Sequence, residues 1–289
     1  RPGATAGSVV WASEPGSVAQ HWADAGEHAQ AVALAVRQLR ITQHRSLNDE
    51  TISYAQHIDG WMAHLEGEAQ REARLDVNSY VTQAMMNKYG WAHAQVVDRI
   101  ALSQELLSDE VPREKQVQHL WTLITFHHVA SNRAEVQQLS NRLLDHATQQ
   151  QDQGVFVAAQ TYLGLAHYSD GYFERAEQSL SDAIEGYNPE AHAHHPADFG
   201  FDTRVWATTG RALVRWFAGH DAAARADATN SVRWAREMSH IPSLSMALLY
   251  QSLGHQARND KARALVSTGE LLGITQRYGL PAFQGYAEI

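Results

Sequence analysis

The sequence predicts an all-α protein, a right-handed α-α superhelix of about six to seven helical hairpins. Apolar residues recur at helical spacing along almost the whole chain, and no segment alternates apolar and polar residues as a half-buried strand requires. Only 7 of the 289 residues are proline, which favours long helices. Turn residues return roughly every 40 positions, a period typical of helical repeats.

The helix boundaries follow from the glycine, asparagine, aspartate and proline residues that punctuate the chain. A leading helix is predicted over 17–25, and a last helix begins at Pro281. Between them the predicted hairpins are 26–43 with 47–64, 69–88 with 93–108, 112–129 with 133–150, 153–168 with 172–187, 202–218 with 222–237, and 242–257 with 261–278.

The turns inside the last five hairpins fall near Gly90, Ser131, Gly171, Gly219 and Asn259. Residues 188–200 lengthen the interval between the fourth and fifth hairpins, and we expect them to form an irregular, solvated loop at the edge of the superhelix. We expect a single helical-repeat domain over 1–289. Because the chain starts at Arg1 and stops at Ile289 within a predicted helix, we expect it to be a fragment of a larger protein.

The fourth hairpin carries the sharpest local pattern, with the segments Tyr162-Leu-Gly-Leu-Ala-His-Tyr168 and Gly171-Tyr-Phe-Glu-Arg-Ala176. Gly164 and Ala176 are small where two helices must approach closely, and Gly171 suits a turn with positive φ. This spacing resembles the tetratricopeptide repeat. It departs from that pattern at Pro189, one residue late, and at Gln160, where the repeat has tryptophan.

A longer resemblance covers about 46–286 and rests on four stretches: Tyr89-Gly-Trp-Ala-His-Ala-Gln-Val96, Leu120-Trp-Thr-Leu-Ile-Thr-Phe-His127, Tyr187-Asn-Pro-Glu-Ala-His192, and Gly219 through Ala235-Arg-Glu-Met-Ser-His240. They resemble the C-terminal helical region of bacterial signalling ATPases, in which a P-loop ATPase is fused to an adenylate/guanylate cyclase, a Ser/Thr kinase or a winged-helix regulator. None of these stretches is catalytic in that family. The resemblance therefore implies a regulatory tail, and any ATPase, cyclase or kinase activity would belong to the parent protein.

Composition argues against several classes of function. The net charge of −9, with lysine only at Lys88, Lys115 and Lys261, argues against a nucleic-acid surface. No apolar stretch approaches the roughly 20 residues of a membrane span. The absence of cysteine excludes disulfides, zinc-thiolate sites and thiol nucleophiles, and it suits the cytoplasm.

The sequence contains no catalytic or cofactor motif that we could identify. We find no P-loop, dinucleotide fingerprint, nucleophile elbow or zinc-protease motif, so we expect neither an enzyme nor a bound cofactor. Histidine is abundant, at 17 residues, and His192, His194 and His195 form the densest group. They are weak metal candidates, because few carboxylates accompany them, and we expect the loop that holds them to be solvated without a metal.

Candidate binding residues come from the inner wall that the first helix of each hairpin contributes to a superhelix. Aligning the hairpins on their turns places eight residues towards this concave face; the alternative for each is ordinary packing between helices. They are Trp121, Thr125, His128, Thr161, Tyr168, Trp206, Thr209 and Trp216.

Two functional hypotheses follow. The first is a non-catalytic scaffold that binds a protein or peptide partner, an effector, or a domain of its own parent chain, and so regulates an attached signalling domain. The second is the small-molecule sensor domain of a maltose-regulator-type transcriptional activator, which requires an enclosed, aromatic-lined pocket.

Overall fold

The computed structural model describes residues 15–45, 47–108 and 111–288, so the first fourteen residues of the expected domain lie outside the described part. Within these ranges the chain forms fifteen helices and no strand, which confirms the all-α class. The helices are α1 Pro15–Asp24, α2 His28–His44, α3 Asn48–Met62, α4 Gly67–Tyr89, α5 Ala94–Leu106, α6 Arg113–Val129, α7 Arg133–Gln150, α8 Gln153–Ser169, α9 Phe173–Gly186, α10 His195–Phe199, α11 Thr203–Phe217, α12 Asp221–Glu237, α13 Ile241–Ala257, α14 Lys261–Tyr278 and α15 Pro281–Ala287.

Helices α2 to α9 and α11 to α14 pair into six antiparallel hairpins that stack into an α-α superhelix. Each boundary of these helices lies within two residues of the predicted one. None of the described helices is long and apolar enough to cross a lipid bilayer.

The last four hairpins share one turn geometry. Ser131, Gly171, Gly219 and Asn259 all have a left-handed φ, between 58° and 86°. In each turn the next residue donates its backbone N–H to a carbonyl five residues earlier, as Tyr172 does to His167 over 2.9 Å. Such bonds satisfy carbonyl groups at a helix C-terminus. The shared turns place the four hairpins in one register.

This register identifies equivalent residues within the stack. Positions 131, 171, 219 and 259 are separated by 40, 48 and 40 residues. The eight extra residues of the middle interval belong to the segment between α9 and α11, which includes the short helix α10.

Helix α4 is buried around almost its whole circumference over its second half. Helices α2, α3, α5 and α6 pack against it, and the C-terminal helix α15 returns to cover it. The fully buried Phe283 ring on α15 lies 6.1 Å from the Trp91 ring, edge to face. The last described helix of the chain is thus anchored on the second hairpin.

Candidate functional site

The eight residues predicted for the concave face separate into a buried and a partly exposed group. His128, Tyr168 and Trp216 retain partial exposure. The other five are buried, namely Trp121, Thr125, Thr161, Trp206 and Thr209. Thr125 bonds both to its own helix at Trp121 O and to the Tyr162 hydroxyl, at 2.9 and 2.7 Å. A ligand could reach the partly exposed group without rearrangement of the fold.

The segment between α9 and α11 covers part of this inner wall. The indole N–H of Trp121 donates to the backbone carbonyl of Phe199 at 2.6 Å, and the two rings lie 4.7 Å apart. Phe201 stacks near Trp206, with the ring centroids 6.4 Å apart. The backbone at Gly200 passes so close to Gln83 that a Cβ there would meet its side chain at 2.5 Å. Helix α10 packs against α2, α6 and α11, and the residues that follow it, Gly200 and Phe201, contact α4 and α11.

The prediction that residues 188–200 form a solvated edge loop is wrong for the second half of the segment: residues 195–197, 199 and 200 are buried, whereas 188–191, 193 and 194 are exposed. His192, His195, Phe199 and Phe201 are buried. The prediction failed because it used only the local composition, in which histidine and proline are frequent. Phe199 and Phe201 pack on residues that are distant in the sequence, so no local pattern indicated their burial. Burial of the apolar surface of these two rings stabilises the segment in its packed position.

The histidines of this segment serve packing. His192 and His195 stack with ring centroids 4.8 Å apart, and His195 Nδ1 lies 2.6 Å from the Thr203 hydroxyl. Burial lowers the pKa of His195 to about 2, so its ring is neutral. His194 stays partly exposed, 3.8 Å from the Asp198 carboxylate. Among the described residues, no group of three or more His, Asp or Glu side chains is arranged to hold a metal ion.

An open cleft of about 440 Å³ lies at the edge of the superhelix that carries the hairpin turns. The C-terminal ends of α6, α8 and α11 and the N-terminal ends of α7 and α9 surround it. Two of the eight predicted residues, His128 and Tyr168, line it. The other residues of its wall are His127, Ser131, Arg133, Val136, Ala166, Ser169, Phe173 and Phe217.

Aromatic rings form one side of the cleft. Tyr168 lies 6.1 Å from Phe173 and 5.7 Å from Phe217, and the last two rings are stacked at 6.2 Å. Phe217 is 52% exposed, which is unusual for a phenylalanine at the end of a helix. The Trp216 ring contacts Phe217 from the far side, at 4.6 Å. These rings create a contiguous apolar surface at two consecutive turns, those of Gly171 and Gly219.

The opposite side of the cleft is polar but carries little charge. Burial lowers the pKa of His127, and it lowers that of His128 to about 4, so both rings are neutral at physiological pH. Arg133 donates to the backbone carbonyl of Ser169 at 3.1 Å and lies 3.5 Å from Asp170 at the rim. Among the described residues that line the cleft, one is a cation and none is a carboxylate.

A second, smaller space of about 190 Å³ lies between α11, α12 and α13. Thr209 and Trp216 line it, together with Tyr250, Arg258 and a series of alanines. Phe217 borders both this pocket and the cleft. Of the eight predicted residues, two therefore lie in the cleft and two in the pocket.

The predicted residues did not include Arg133, Phe173 and Phe217. The eight candidates were chosen on first helices, at positions aligned on the turns, whereas the cleft is completed by residues that flank the turns on both helices of a hairpin. Phe217 lies two residues before the Gly219 turn, and Phe173 lies two residues after the Gly171 turn. Apolar residues at these flanking positions, where a helix end reaches solvent, are the pattern that could have located the cleft.

Comparison with known proteins supports the fold and leaves the family open. No protein-family model matches the sequence, and no curated protein matches it either. The crystal structure of a Rap protein complexed with competence and sporulation factor is similar to this chain, with a TM-score of 0.58 and 10% identity over 89% of this chain and 80% of that one. This similarity confirms a tetratricopeptide-like helical superhelix. The resemblance to signalling ATPases stays a prediction.

Proposed function

We propose that this chain is a recognition scaffold that binds an extended protein or peptide segment in the cleft at the ends of α6, α8 and α11. The observation that carries the proposal is the aromatic surface formed by Phe217, which is exposed, with Tyr168 and Phe173, which are partly exposed. Apolar surface of this kind on a repeat protein is typical of partner binding. The structurally similar Rap protein, which is complexed with competence and sporulation factor, supports a binding role for this architecture.

The cleft favours a partner of particular chemistry. Its rings would take aromatic or branched aliphatic side chains. Arg133 is paired with Asp170 at the rim but its side chain stays 61% exposed, so it can bond to a further acidic group beside the rings. His128, Tyr168 and Trp216 stay in the proposed contact set, to which Arg133, Phe173 and Phe217 are added. The buried residues Trp121, Thr125, Thr161, Trp206 and Thr209 would act only by supporting the wall.

We further propose that the bound state is passed to an attached signalling domain in the cytoplasm, and that the chain itself catalyses no reaction. The resemblance to signalling ATPases supports this part. It is tested by the gene sequence that encodes the residues before Arg1. A P-loop motif there, together with a cyclase, kinase or winged-helix segment, would agree with the proposal, and an unrelated upstream sequence would contradict it.

The cleft is tested by selecting binders from a displayed library of random linear dodecapeptides and measuring their affinity by fluorescence polarisation. We expect enrichment of peptides that combine aromatic or leucine residues with an aspartate or glutamate. The affinity of the selected peptides should fall at least tenfold in Tyr168→Ala and in Phe173→Ala.

The matched control is Tyr278→Ala, which removes a ring that is 43% exposed on α14, outside the cleft. It should leave the affinity unchanged. Equal binding by the Tyr168→Ala, Phe173→Ala and wild-type proteins would place the binding surface elsewhere and refute the cleft. Circular dichroism of each variant checks that the helices are intact.

The second candidate function, a small-molecule sensor of the maltose-regulator type, is favoured by one observation, the pocket between α11, α12 and α13. A sensor would bind one metabolite saturably without a peptide. Calorimetry against metabolite pools tests this candidate: a sensor would give saturable heat with one metabolite, and the absence of saturable heat with any of them would contradict it.

A further inference from the structure

The pocket between α11, α12 and α13 exists because one hairpin lacks a filling residue that its neighbours provide. The shared turn geometry identifies two equivalent positions in each hairpin, one seven residues before the left-handed turn residue and one nine residues after it. These two positions face the interior of the stack, where each side chain must complement the other.

In three of the last four hairpins, the side chains at these two positions either fill the space between the helices or form a hydrogen bond with each other. The third hairpin has Ile124 with Ser140, and both are fully buried. The fourth has Gly164 with Leu180; Leu180 is so close that a Cβ on Gly164 would lie 2.5 Å from it. The sixth has Ser252 with Thr268, whose hydroxyl oxygens are 2.6 Å apart in a hydrogen bond.

In the fifth hairpin these two positions hold Ala212 and Ala228. Both side chains are small, so neither fills the space that the other leaves. Both alanines line the pocket, as do the small residues Ala224, Ala247 and Gly254. The next helix contributes the Tyr250 ring, and the first helix contributes the Trp216 ring. The pocket therefore coincides with the one pair among these four in which neither side chain fills the space or bonds to the other.

The walls of the pocket define the chemistry of a ligand. Two polar side chains there already have partners: Ser231 donates to the Ala228 carbonyl at 2.9 Å, and Gln251 accepts from Ser267 at 3.0 Å. The buried Thr209 hydroxyl has no hydrogen-bond partner among the described residues and can bond to a neutral ligand. Arg258 donates to the Gly254 carbonyl at 2.6 Å and bonds to Asp221, and its guanidinium lies over the Trp216 ring. A charged ligand would lose its hydration without a free counter-charge, so an uncharged one is favoured.

The size of the pocket sets the scale of that ligand. Its volume is about 190 Å³. An apolar protein cavity of about 150 Å³ stays free of water and binds benzene or xenon. Phe217, Leu253 and Ala257 border the pocket and are exposed, so it has an apolar entrance from solvent.

We propose that this pocket is a binding site for an uncharged group with one aromatic ring, or a branched aliphatic group of similar size. The group could arrive as a free small molecule or as a side chain of a bound partner, and the two sources share this chemistry. The proposal rests on the pocket alone and needs no peptide in the cleft.

The test uses toluene and indole as probes, with saturation-transfer NMR and calorimetry on the whole chain. We expect saturable binding to the wild-type protein, with an affinity at least tenfold weaker in Ala228→Leu, which restores the leucine of the fourth hairpin. Ala262→Leu, the same change at an exposed position of α14, is the matched control and should bind as wild type. Should Ala228→Leu not fold, Ala212→Leu fills the pocket from the opposite wall.

A second arm distinguishes the two sources. If the entrance admits a side chain attached to a backbone, acetyl-Gly-Phe-Gly-amide will compete with indole, and a failure to compete assigns the site to free small molecules. No saturable binding of toluene or indole by the wild-type protein, or undiminished binding by the filled variant, would overturn the proposal. Tyr168→Ala should leave indole binding intact, so failure of the pocket and failure of the cleft are distinguishable.

Discussion

Individual buried side chains decide how closely the hairpins of this protein pack. Leu180 is 0% exposed, and its side chain fits against the glycines Gly164 and Gly210. A larger residue at either glycine would collide with Leu180 or Leu165. The fourth hairpin, which has the clearest repeat pattern in the sequence, is thus also where the helices are most closely complementary.

Replacing Leu180 with alanine should lower the free energy of unfolding by about 2–5 kcal/mol, because the two glycines beside it cannot fill the space. Urea unfolding followed by circular dichroism measures the change. Leu265→Ala removes a side chain that is 73% exposed, and it should change stability by less than about 0.5 kcal/mol. Equal effects of the two substitutions would contradict the packing described for Leu180.

Buried neutral histidines should make the protein sensitive to acid. Burial lowers the pKa of His119 to about 4, below its value of about 6.5 in an unfolded chain. Between these two values the unfolded state binds more protons, so the stability present above pH 6.5 is lost as the pH falls towards 4. His195 acts in the same direction. The raised pKa of the buried Asp202 acts in the opposite direction, at the acidic end of this range.

We expect His119 alone to lower the free energy of unfolding by about 2 kcal/mol at pH 5 relative to pH 7.5. Urea midpoints measured across this pH range would give the slope. His119→Gln removes the titrating ring, so its stability should depend less steeply on pH. A slope identical to wild type would mean that His119 is protonated equally in both states.

At the scale of elements, the turns show how a repeat can be built with different residues. Glycine occupies the left-handed position in the fourth and fifth hairpins, whereas Ser131 and Asn259 occupy it in the third and sixth. Residues with a Cβ are disfavoured in that conformation, asparagine less than serine. The third hairpin therefore has the most strained of these turns.

Ser131→Gly should raise the free energy of unfolding by up to about 1 kcal/mol, because glycine adopts φ near 60° without a steric penalty. Gly171→Ala, the reverse change at the equivalent position of the fourth hairpin, should lower it by a similar amount. Thermal unfolding of the two variants compares them directly. Changes of the same sign would show that the turn conformation is not the cause.

The segment between α9 and α11 is held by its ends as well as by its rings. Tyr187 donates to the Asp202 carboxylate at 2.5 Å, and the other oxygen of Asp202 accepts from the Val205 N–H at 2.9 Å and caps α11. The Trp121 indole bonds to the middle of the segment at Phe199. A bond between its two ends and one helix distant in sequence, α6, thus determine its path.

Trp121→Phe should leave the Phe199 carbonyl without its donor, at a cost of about 1–3 kcal/mol. Hydrogen exchange should quicken in residues 195–201, while the helices keep their protection. Trp61→Phe changes a partly buried indole on α3, away from this segment, and should leave exchange at 195–201 unchanged. Unaltered exchange in the Trp121 variant would mean that ring packing alone holds the segment.

At the scale of the whole molecule, the contact between α15 and α4 joins the end of the described chain to the second hairpin. Phe283 is fully buried beside Trp91, and Ala282 approaches Gly90. Because these contacts connect residues nearly two hundred positions apart, they couple the first half of the superhelix to the last. Linear repeat stacks lack such a contact, since each repeat touches only its neighbours.

Phe283→Ala should lower the free energy of unfolding by about 3–5 kcal/mol. It should also increase hydrogen exchange at the C-terminal end of α4, far away in sequence. Tyr286→Ala, on the same helix but 49% exposed, should leave α4 protected. If exchange increases in α15 alone, the contact does not couple the two halves.

The sequence by itself determined the helices, their boundaries and the repeat register. Those features depend on local chemistry: helical spacing of apolar residues and a turn residue able to adopt positive φ, as at Gly171 and Gly219. It also placed Tyr168, His128 and Trp216 among the candidate contacts, and the structure leaves these partly exposed.

Only the tertiary structure decided which candidates are covered and where space remains. Trp121 is buried because Phe199, 78 positions away, packs on it, and no local pattern joins those two residues. Likewise, nothing in the local sequence distinguishes Ala212 and Ala228 from other helix residues. Only the stacked hairpins show that neither side chain fills the space that Leu180 fills in the fourth hairpin. Long-range packing, which depends on the combined volume of side chains from several helices, sets both features.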